Sequence, residues 1–480
     1  MVCFAWLLAS ATVAIGEDAS SWSRWRGPAD VGAVAEGPTL IDGLPDTGLK
    51  PHWIRRQIPF ARSAGWASPT VADGKVFVFT HRKVKVGDGQ PPKAKYPWLP
   101  PDKRGGMTDE EYQEYERKRR DEQEEASKFF RYDEIMLCLD AETGKDLWTT
   151  EKKSVYTRFA QSGSPTIAAG KLFILGAGRV ARCQATADGS TVWEQQLPGE
   201  FRDEYMQSSF LVEDNVAVVL ASQLFALDAS TGAILWTADN TKGSHSSPML
   251  WADGGDKRVV ANVGGGETAC FDLKSGEELW RVKSDAQHSS PVVVGDKLLT
   301  FGSNRKAGLR CYALSSDGAK QLWSFHDVAD KGSTPVVLDG HVFVQGERKL
   351  ACVNLDTGKR AWGATMEMSN PQYTSLVGAD HKLMYTYDGL LMFAATPERF
   401  ELLAQAKIDK DGLLAEESVY RKLAGMDELE KTPEGRKEAL QKWQKMFRGN
   451  GPLACSSPAV AGGRLYLRLE DGVACYDLKK

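Results

Sequence analysis

The sequence lacks an excess of charge of either sign, since 60 Lys and Arg residues against 64 Asp and Glu residues leave a net charge of −4. This balance excludes a basic surface for nucleic acid or for anionic membranes. The 8 cysteines include no CxxC pair and no CxxCH haem-attachment motif. Beyond the first 16 residues, no apolar run is long enough for a transmembrane helix. We therefore expect no nucleic-acid partner and no membrane span.

A short pattern of two strands joined by a turn recurs along the chain. Its clearest copy, at residues 137–148, is LCLDAETGKDLW, in which the Thr-Gly turn supplies the positive φ that a tight hairpin needs. Copies of the pattern end in a tryptophan at positions 148, 193, 236, 280, 323 and 362. A period of about 43 residues built from strands indicates a propeller or a solenoid.

A second motif decides between these two architectures. A hydroxyl residue followed by two short strands occurs between the tryptophans, at Ser68, Ser164, Ser209, Ser247, Ser290, Thr334, Ser375 and Ser457. Proline follows it in every copy except those at 209 and 375. These eight units supply strands A and B, and the tryptophan units supply strands C and D. The sequence thus predicts an all-β fold, an eight-bladed β-propeller of four-stranded antiparallel blades, with two helical insertions.

The two ends of the chain are predicted to complete one blade. The last copy stops at strand C, while residues 50–56 contain Trp53 without a blade of their own. We expect this N-terminal segment to supply strand D of the last blade, because closure removes open sheet edges.

Six cysteines share one position of strand C and are predicted to be unpaired. They are Cys138, Cys183, Cys270, Cys311, Cys352 and Cys475. Equivalent positions of neighbouring blades lie too far apart for a disulfide, which needs Cα atoms within about 7 Å. We expect small buried apolar side chains there.

The remaining organisation follows from composition. Residues 1–16 are predicted to be a signal peptide, because the apolar stretch 3–15 is too short to span a bilayer and ends near a small-x-small site. The protein is then periplasmic or secreted; the alternative is a buried N-terminal segment. The turn-rich residues 17–48 are expected to form an extended lead-in lying on the ring, and residues 49–480 the propeller.

Two charged segments interrupt the period and are predicted to be helical insertions. The first, residues 84–131, contains a helix that Thr108 caps, and the second, residues 409–449, contains two helices. The first is a B–C loop of the first blade, and the second is the D–A connection into the eighth. Because these connections share one face of a propeller and the two blades are neighbours, we expect both insertions side by side on that face.

The repeated D-x-x-T/S-G-x-x-x-W pattern, alternating with SSP-V-V-x-G, resembles the pyrroloquinoline quinone (PQQ)-like β-propeller repeat over about residues 50–480. The opening Trp25-Arg26-Gly27-Pro28 is similar to the start of many secreted bacterial members without assigned activity. In that family a tryptophan docks each blade on its neighbour. The resemblance gives this role to Trp53, Trp148, Trp193, Trp236, Trp280, Trp323 and Trp362.

The family contains quinoprotein alcohol dehydrogenases and non-catalytic scaffolds, such as the propeller lipoprotein of the outer-membrane assembly machinery, so the fold does not choose a function. The adjacent cysteines of the quinoproteins, a carboxylate–amide set for their calcium ion and a cytochrome motif are missing here. We therefore expect no cofactor and keep PQQ with calcium as the alternative. The lipid-attachment cysteine of the scaffold lipoprotein is also missing.

The residues just before each strand A are predicted to form a ring at the channel mouth, where converging polar and aromatic groups favour ligand binding. They are Trp66, Gln161, Gln207, His245, His288, Lys331, Gln372 and Tyr373. The alternative is that the loops of any propeller line its mouth without function. His245 and His288 occupy matched positions, but two histidines without carboxylates make an incomplete metal site. No metal site and no catalytic residue is assigned.

The leading hypothesis is a monomeric, extracytoplasmic, non-catalytic binding or scaffold protein that acts through the insertion-bearing face. Its partner would be a protein, or a polar small molecule or glycan held at the channel mouth. One alternative is a PQQ-dependent alcohol or sugar dehydrogenase. The other is a carbohydrate-active propeller enzyme, for which the sequence shows no paired carboxylates.

Overall fold

The computed structural model describes residues 19–34, 36–59, 65–157, 163–199, 206–243, 245–346, 348–366, 373–386 and 388–480. These residues form eight sheets arranged around a central channel, and the four strands of each blade pair antiparallel, which confirms the predicted eight-bladed propeller. The predicted signal peptide lies outside the described residues.

Strands A to D of each blade run from the channel outward. The strands are Thr70–Ala72, Lys75–Lys85, Phe130–Asp140 and Asp146–Val155 in blade 1, and Thr166–Ala168, Lys171–Gly176, Val180–Ala185 and Thr191–Gln196 in blade 2. They are Leu211–Glu213, Val216–Asp228 (B and C continuous) and Ile234–Gly243 in blade 3, and Met249–Asp253, Asp256–Gly264, Glu267–Asp272 and Glu278–Lys283 in blade 4. They are Val292–Val294, Lys297–Phe301, Leu309–Ser315 and Gly318–Phe325 in blade 5, and Val336–Leu338, His341–Gly346, Lys349–Asn354 and Arg360–Thr365 in blade 6. They are Val377–Ala379, Lys382–Thr386, Leu390–Ala394 and Leu402–Ile408 in blade 7, and Ala459–Ala461, Arg464–Arg468, Gly472–Asp477 and Trp53–Arg56 in blade 8.

Blade 8 is built from both ends of the chain. Trp53–Arg56 pairs antiparallel with Gly472–Asp477 and supplies strand D. Blade 7 is wider than the others, because Ala33–Val34 pairs in parallel with its strand A and Leu414–Ala415 pairs with its strand D.

Each docking tryptophan lies opposite a small residue of strand C in its own blade. The cross-strand pairs are Trp53–Cys475, Trp148–Cys138, Trp193–Cys183, Trp236–Ala226, Trp280–Cys270, Trp323–Cys311 and Trp362–Cys352. The six cysteines are free and buried. Burial raises the pKa of these thiols, to about 12 for Cys270. They pack as small apolar side chains beside the indole rings.

Six of the seven tryptophans also bond to the next blade through the indole N–H. The acceptors are the carbonyl oxygens of Ala141 for Trp53, Thr186 for Trp148, Ala229 for Trp193, Leu273 for Trp236, Leu355 for Trp323 and Thr396 for Trp362, at 2.7–3.1 Å. In five of these junctions a turn glycine of the next blade lies against the indole ring. A Cβ at Gly232, for example, would lie 2.6 Å from the Trp193 ring, and its φ is +78°.

Trp280 departs from this pattern. The facing turn of blade 5 is a shorter hairpin whose Gly318 approaches no other group. As a result the buried Nε1 of Trp280 has no hydrogen-bond partner among the described residues. Its ring packs on Trp251 of its own blade, with centroids 6.5 Å apart, and on Leu314 of the next.

The insertions leave the ring where the strands of blades 1 and 7 end. The first runs from residue 86 to residue 129, two residues inside each predicted bound, and contains the 3-10 turn Pro101–Lys103 and helix α1, Asp109–Ser127. Thr108 and Glu111 form a capping box at the start of α1. The second contains helices α2, Glu417–Ala424, α3, Met426–Leu429, and α4, Pro433–Phe447, one helix more than predicted.

Residues 23–31 of the lead-in cross the channel, whereas its later part lies on the ring, where the Leu40 N–H donates to the Asp380 carboxylate and the Ile41 N–H to the Leu478 carbonyl. Near the start of the lead-in, the Ser23 carbonyl accepts the N–H of Ile167 in strand A of blade 2. Further on, the Val31 carbonyl accepts the N–H of Val337 in strand A of blade 6. Blades 2 and 6 are opposite each other in an eightfold ring, so residues 23–31 span the channel. They do so at the end where strand A turns into strand B.

Candidate functional site

A closed ring of hydrogen bonds surrounds the channel at the start of strand A. The eight members are the hydroxyl residues of the second sequence motif, Ser68, Ser164, Ser209, Ser247, Ser290, Thr334, Ser375 and Ser457. The backbone N–H of each donates to the side-chain hydroxyl of the next blade at 2.8–3.1 Å. In blades 4 to 6 the preceding serine bonds within its own blade, as when Ser333 Oγ donates to the Gln345 carbonyl at 3.2 Å. The Ser-Ser-Pro motif therefore joins the blades at the channel wall.

The channel contains a cavity of about 340 Å³. Trp25 of the lead-in lines one end, and hydroxyl groups of the ring line the wall. The other end is lined by residues of the D–A connections, including His288 and Cys455. Because the second insertion is itself a D–A connection, the mouth opens on the insertion-bearing face.

The Arg26 guanidinium fixes the lead-in across the channel. It donates to the carbonyl oxygens of Leu376 at 2.9 Å and Pro335 at 2.5 Å, in two adjacent blades. Arg26 is 1% exposed, and Gly32 packs against it so closely that a Cβ would overlap the guanidinium. These contacts explain two residues of the Trp-Arg-Gly-Pro motif: Trp25 lines one end of the cavity, and Arg26 anchors the lead-in to blades 6 and 7.

Five of the predicted mouth residues line the cavity, namely Trp66, Gln207, His245, His288 and Tyr373. Lys331 is exposed at the rim, and its neighbour Gly332 lines the cavity instead. Gln161 and Gln372 lie outside the described residues. Trp25 and Cys455 also line the cavity, although neither was predicted as a mouth residue. The motif around Trp25 was visible, but nothing local indicates that it reaches the channel.

The two histidines form a stacked pair in the cavity. Their ring centroids are 4.2 Å apart with an interplanar angle of 29°, and His288 lies 6.1 Å from Tyr373. Burial, together with His288, lowers the pKa of His245 to about 3. Burial and the nearby Lys331 also lower the pKa of His288. Both imidazoles are therefore neutral near pH 7, when each has one donor and one acceptor nitrogen.

Asp330 holds the loops beside the cavity. Its Oδ1 accepts the N–H groups of Gly332 at 2.9 Å and Ser333 at 2.7 Å, and that of Tyr373 in the next blade at 3.3 Å. Burial raises its pKa, although these N–H groups favour the charged form. The carboxylate thereby ties blades 6 and 7 together and positions Tyr373.

The cavity residues do not fit PQQ with calcium. PQQ carries three carboxylates, and no Lys or Arg occurs among the described residues that line the cavity. Burying carboxylates without a cation is costly. Across the described ranges, no group of three or more His, Cys, Asp and Glu side chains is arranged to hold a metal ion. A glycosidase also needs two carboxylates flanking its substrate, and the described lining residues include none.

Comparison with known proteins relates this propeller to an assembly factor. The sequence model of the family described as outer membrane protein assembly factor BamB matches residues 132–268 and 222–380, together just over half of the chain. A curated relative, outer membrane protein assembly factor BamB of Yersinia pestis, is 24% identical over 318 residues, covering 53% of this chain and 78% of that protein.

Dehydrogenases of the same fold are also similar. Quinohemoprotein alcohol dehydrogenase ADH-IIG of Pseudomonas putida is 25% identical over 130 residues, which cover 24% of this chain and 18% of the enzyme. The crystal structure of quinohemoprotein alcohol dehydrogenase from Comamonas testosteroni covers 97% of this chain and 82% of its own, with a TM-score of 0.58 and 11% identity. The structural likeness shows the shared fold alone.

In the part of the chain that the structure describes, no helix has the length and apolar character needed to cross a membrane.

Proposed function

The chain belongs to the family described as outer membrane protein assembly factor BamB, and we propose that it is a non-catalytic, extracytoplasmic scaffold that binds a protein partner through its insertion-bearing face. The family match and the Yersinia pestis relative support an assembly role. The described lining residues offer neither a carboxylate pair nor a cationic group, so the cavity chemistry favours neither the glycosidase nor the quinoprotein alternative.

The distribution of exposed apolar side chains supports the choice of face. Among the described residues, the three with the largest exposed fractions are Leu423 at 68%, Trp98 at 61% and Leu440 at 58%, and all lie in the two insertions. Apolar and aromatic side chains of this kind are common anchors of protein interfaces. The concentration of exposed apolar side chains in the insertions is the main observation that supports the proposed binding face.

Site-specific photo-cross-linking tests the proposed face. A photoreactive amino acid is placed at Leu423 or Trp98 in the full chain, expressed in a bacterium that assembles outer membrane proteins. Leu235, 48% exposed on the outer strand of blade 3, is the matched control position. We expect discrete protein adducts from the two insertion positions and none from Leu235. Adducts from Leu235 alone, or from no position, would contradict the proposed face.

Deletion of the gene tests the assembly role. The amounts of folded outer membrane proteins are compared between the deletion strain, the wild type, and a strain complemented with the full chain. We expect a reduction that complementation restores. Cell fractionation of the full chain and of a variant without residues 1–16 tests the extracytoplasmic location. Unchanged outer membrane protein levels, or recovery of the full chain from the cytoplasm, would overturn the proposal.

A further inference from the structure

We propose that the channel cavity is a binding site for an uncharged, hydroxyl-rich ring compound, with the chemistry of a saccharide unit. The proposal rests on the cavity and not on the scaffold role, since a protein partner on the insertion-bearing face needs no ligand in the channel.

The cavity wall contains hydrogen-bonding capacity that the protein does not use. Each hydroxyl of the ring accepts a backbone N–H, but its own O–H finds no acceptor among the described residues. The ring members that line the cavity are Ser68, Ser164, Ser209 and Ser247. The buried Nδ1 of His288 likewise has no partner within the described ranges. Buried polar groups are normally paired, so these atoms indicate a polar ligand or water in the cavity.

The unused groups can both donate and accept hydrogen bonds. A serine O–H donates, while the Gln207 amide and the neutral His288 ring each supply a donor and an acceptor. Sugar hydroxyls also donate and accept, so they match this mixture. No Lys, Arg, Asp or Glu occurs among the described lining residues, and Lys331 lies exposed at the rim, so an ionic ligand inside the cavity would lose its hydration without a counter-charge in direct contact.

Aromatic side chains supply the apolar part of the site. Trp25 at one end, and Trp66 and Tyr373 near the mouth, contribute aromatic surface to the cavity lining. Such surfaces can cover the C–H face of a sugar ring. A flat aromatic ligand would use the same surfaces but would leave the serine hydroxyls and His288 unpaired, which is costly in a buried site. The volume of about 340 Å³ falls in the range of small-molecule sites.

Binding to the purified full chain tests the proposal. The probes are D-glucose, N-acetyl-D-glucosamine, maltose and cellobiose, with inorganic phosphate and PQQ as charged comparisons. Binding is followed by saturation-transfer NMR and by tryptophan fluorescence. We expect saturable binding of at least one sugar with a Kd of about 1 mM or lower. No saturable binding of any of the four up to about 10 mM would overturn the proposal, as would tighter binding of a charged probe.

Paired variants locate the bound sugar. Gln207→Leu and His288→Leu each remove cavity hydrogen bonds and should weaken binding at least tenfold. Gln405→Leu makes the same change as the first variant at an exposed position of strand D of blade 7 and should leave binding unchanged. Melting temperatures show that each variant is folded. Equal binding by Gln207→Leu, His288→Leu and Gln405→Leu would refute the cavity site. Because these assays contain no partner protein, failure here leaves the scaffold proposal intact, and the reverse also holds.

Discussion

The backbone N–H of Ser457 donates to Oγ of Ser68 at 2.9 Å, although the two residues are 389 positions apart in the chain. This bond completes the inner ring of eight hydroxyl–amide contacts. The pairing of Trp53–Arg56 with Gly472–Asp477 completes the outer edge of the same blade. The propeller is therefore closed twice, once by side-chain bonds at the channel wall and once by strand pairing at the outer edge of blade 8.

Removing the Ser68 hydroxyl should weaken the inner closure. In Ser68→Ala the buried N–H of Ser457 loses its acceptor, so we expect the free energy of unfolding to fall by about 1–3 kcal/mol in urea denaturation. Ser68→Thr is the control, because Thr334 already fills this role in blade 6. Equal stability of Ser68→Ala and the wild type would show that the bond does not contribute to closure.

The seven docking tryptophans should not be equivalent. Trp193→Phe loses the bond to the Ala229 carbonyl and should cost more than Trp280→Phe, which removes an indole N–H that has no described partner. We expect a difference of about 1–2 kcal/mol in chemical denaturation. Trp280→Ala should still cost about 3–5 kcal/mol, because a large buried side chain is lost. A larger loss for Trp280→Phe than for Trp193→Phe would contradict this assignment.

The stacked histidines should make the protein less stable in acid. His245 has its pKa lowered to about 3 in the folded chain, against an ordinary value of 6.5. Between these values the unfolded chain binds a proton at this site and the folded chain does not, so stability falls as the pH drops from about 6.5 towards about 3. His245→Gln should flatten this decline by up to ~1.4 kcal/mol per pH unit. Urea denaturation at several pH values measures both slopes, and identical slopes would argue against a neutral His245.

The two insertions should differ in how much stability they contribute. The N–H of Val86 donates to the Phe129 carbonyl at 2.8 Å, so a short turn can replace residues 87–128, and the melting temperature should change little. Deleting residues 417–447 also removes Tyr420, which is 1% exposed and donates to the Lys407 carbonyl of blade 7 at 3.2 Å. That deletion should cost about 3–5 kcal/mol. Equal effects of the two deletions on thermal unfolding would show that Tyr420 does not anchor the second insertion.

Adding PQQ with calcium should change neither the absorbance spectrum nor the melting temperature. The reason is the lack of Lys and Arg among the described cavity-lining residues. A quinoprotein dehydrogenase freed of its cofactor is the positive control. For comparison, a ligand at 100 times its Kd stabilises a protein by about 2.7 kcal/mol. A saturable rise in melting temperature with PQQ would restore the dehydrogenase hypothesis.

Local patterns in the sequence were enough to predict the blades. The repeated tryptophans and the Ser-Pro pairs are separated by one blade each, so the eight units follow from short-range pattern alone. The sequence also indicated five cavity-lining residues, because each of them precedes strand A of its own blade. The sequence predicted the same docking role for Trp280 and Trp193. Only the structure shows that their indole hydrogen bonding differs, because that difference depends on the turn of the following blade.

By itself, the sequence determined the all-β class, the number of blades and the exit points of the insertions, because alternation and turn chemistry act within about ten residues. The tertiary structure alone decided that residues 23–31 cross the channel, that Trp25 closes its cavity and that eight hydroxyls join into one ring. These features depend on groups far apart in the chain. Arg26 contacts the Leu376 carbonyl 350 positions away, a relationship that no local pattern encodes.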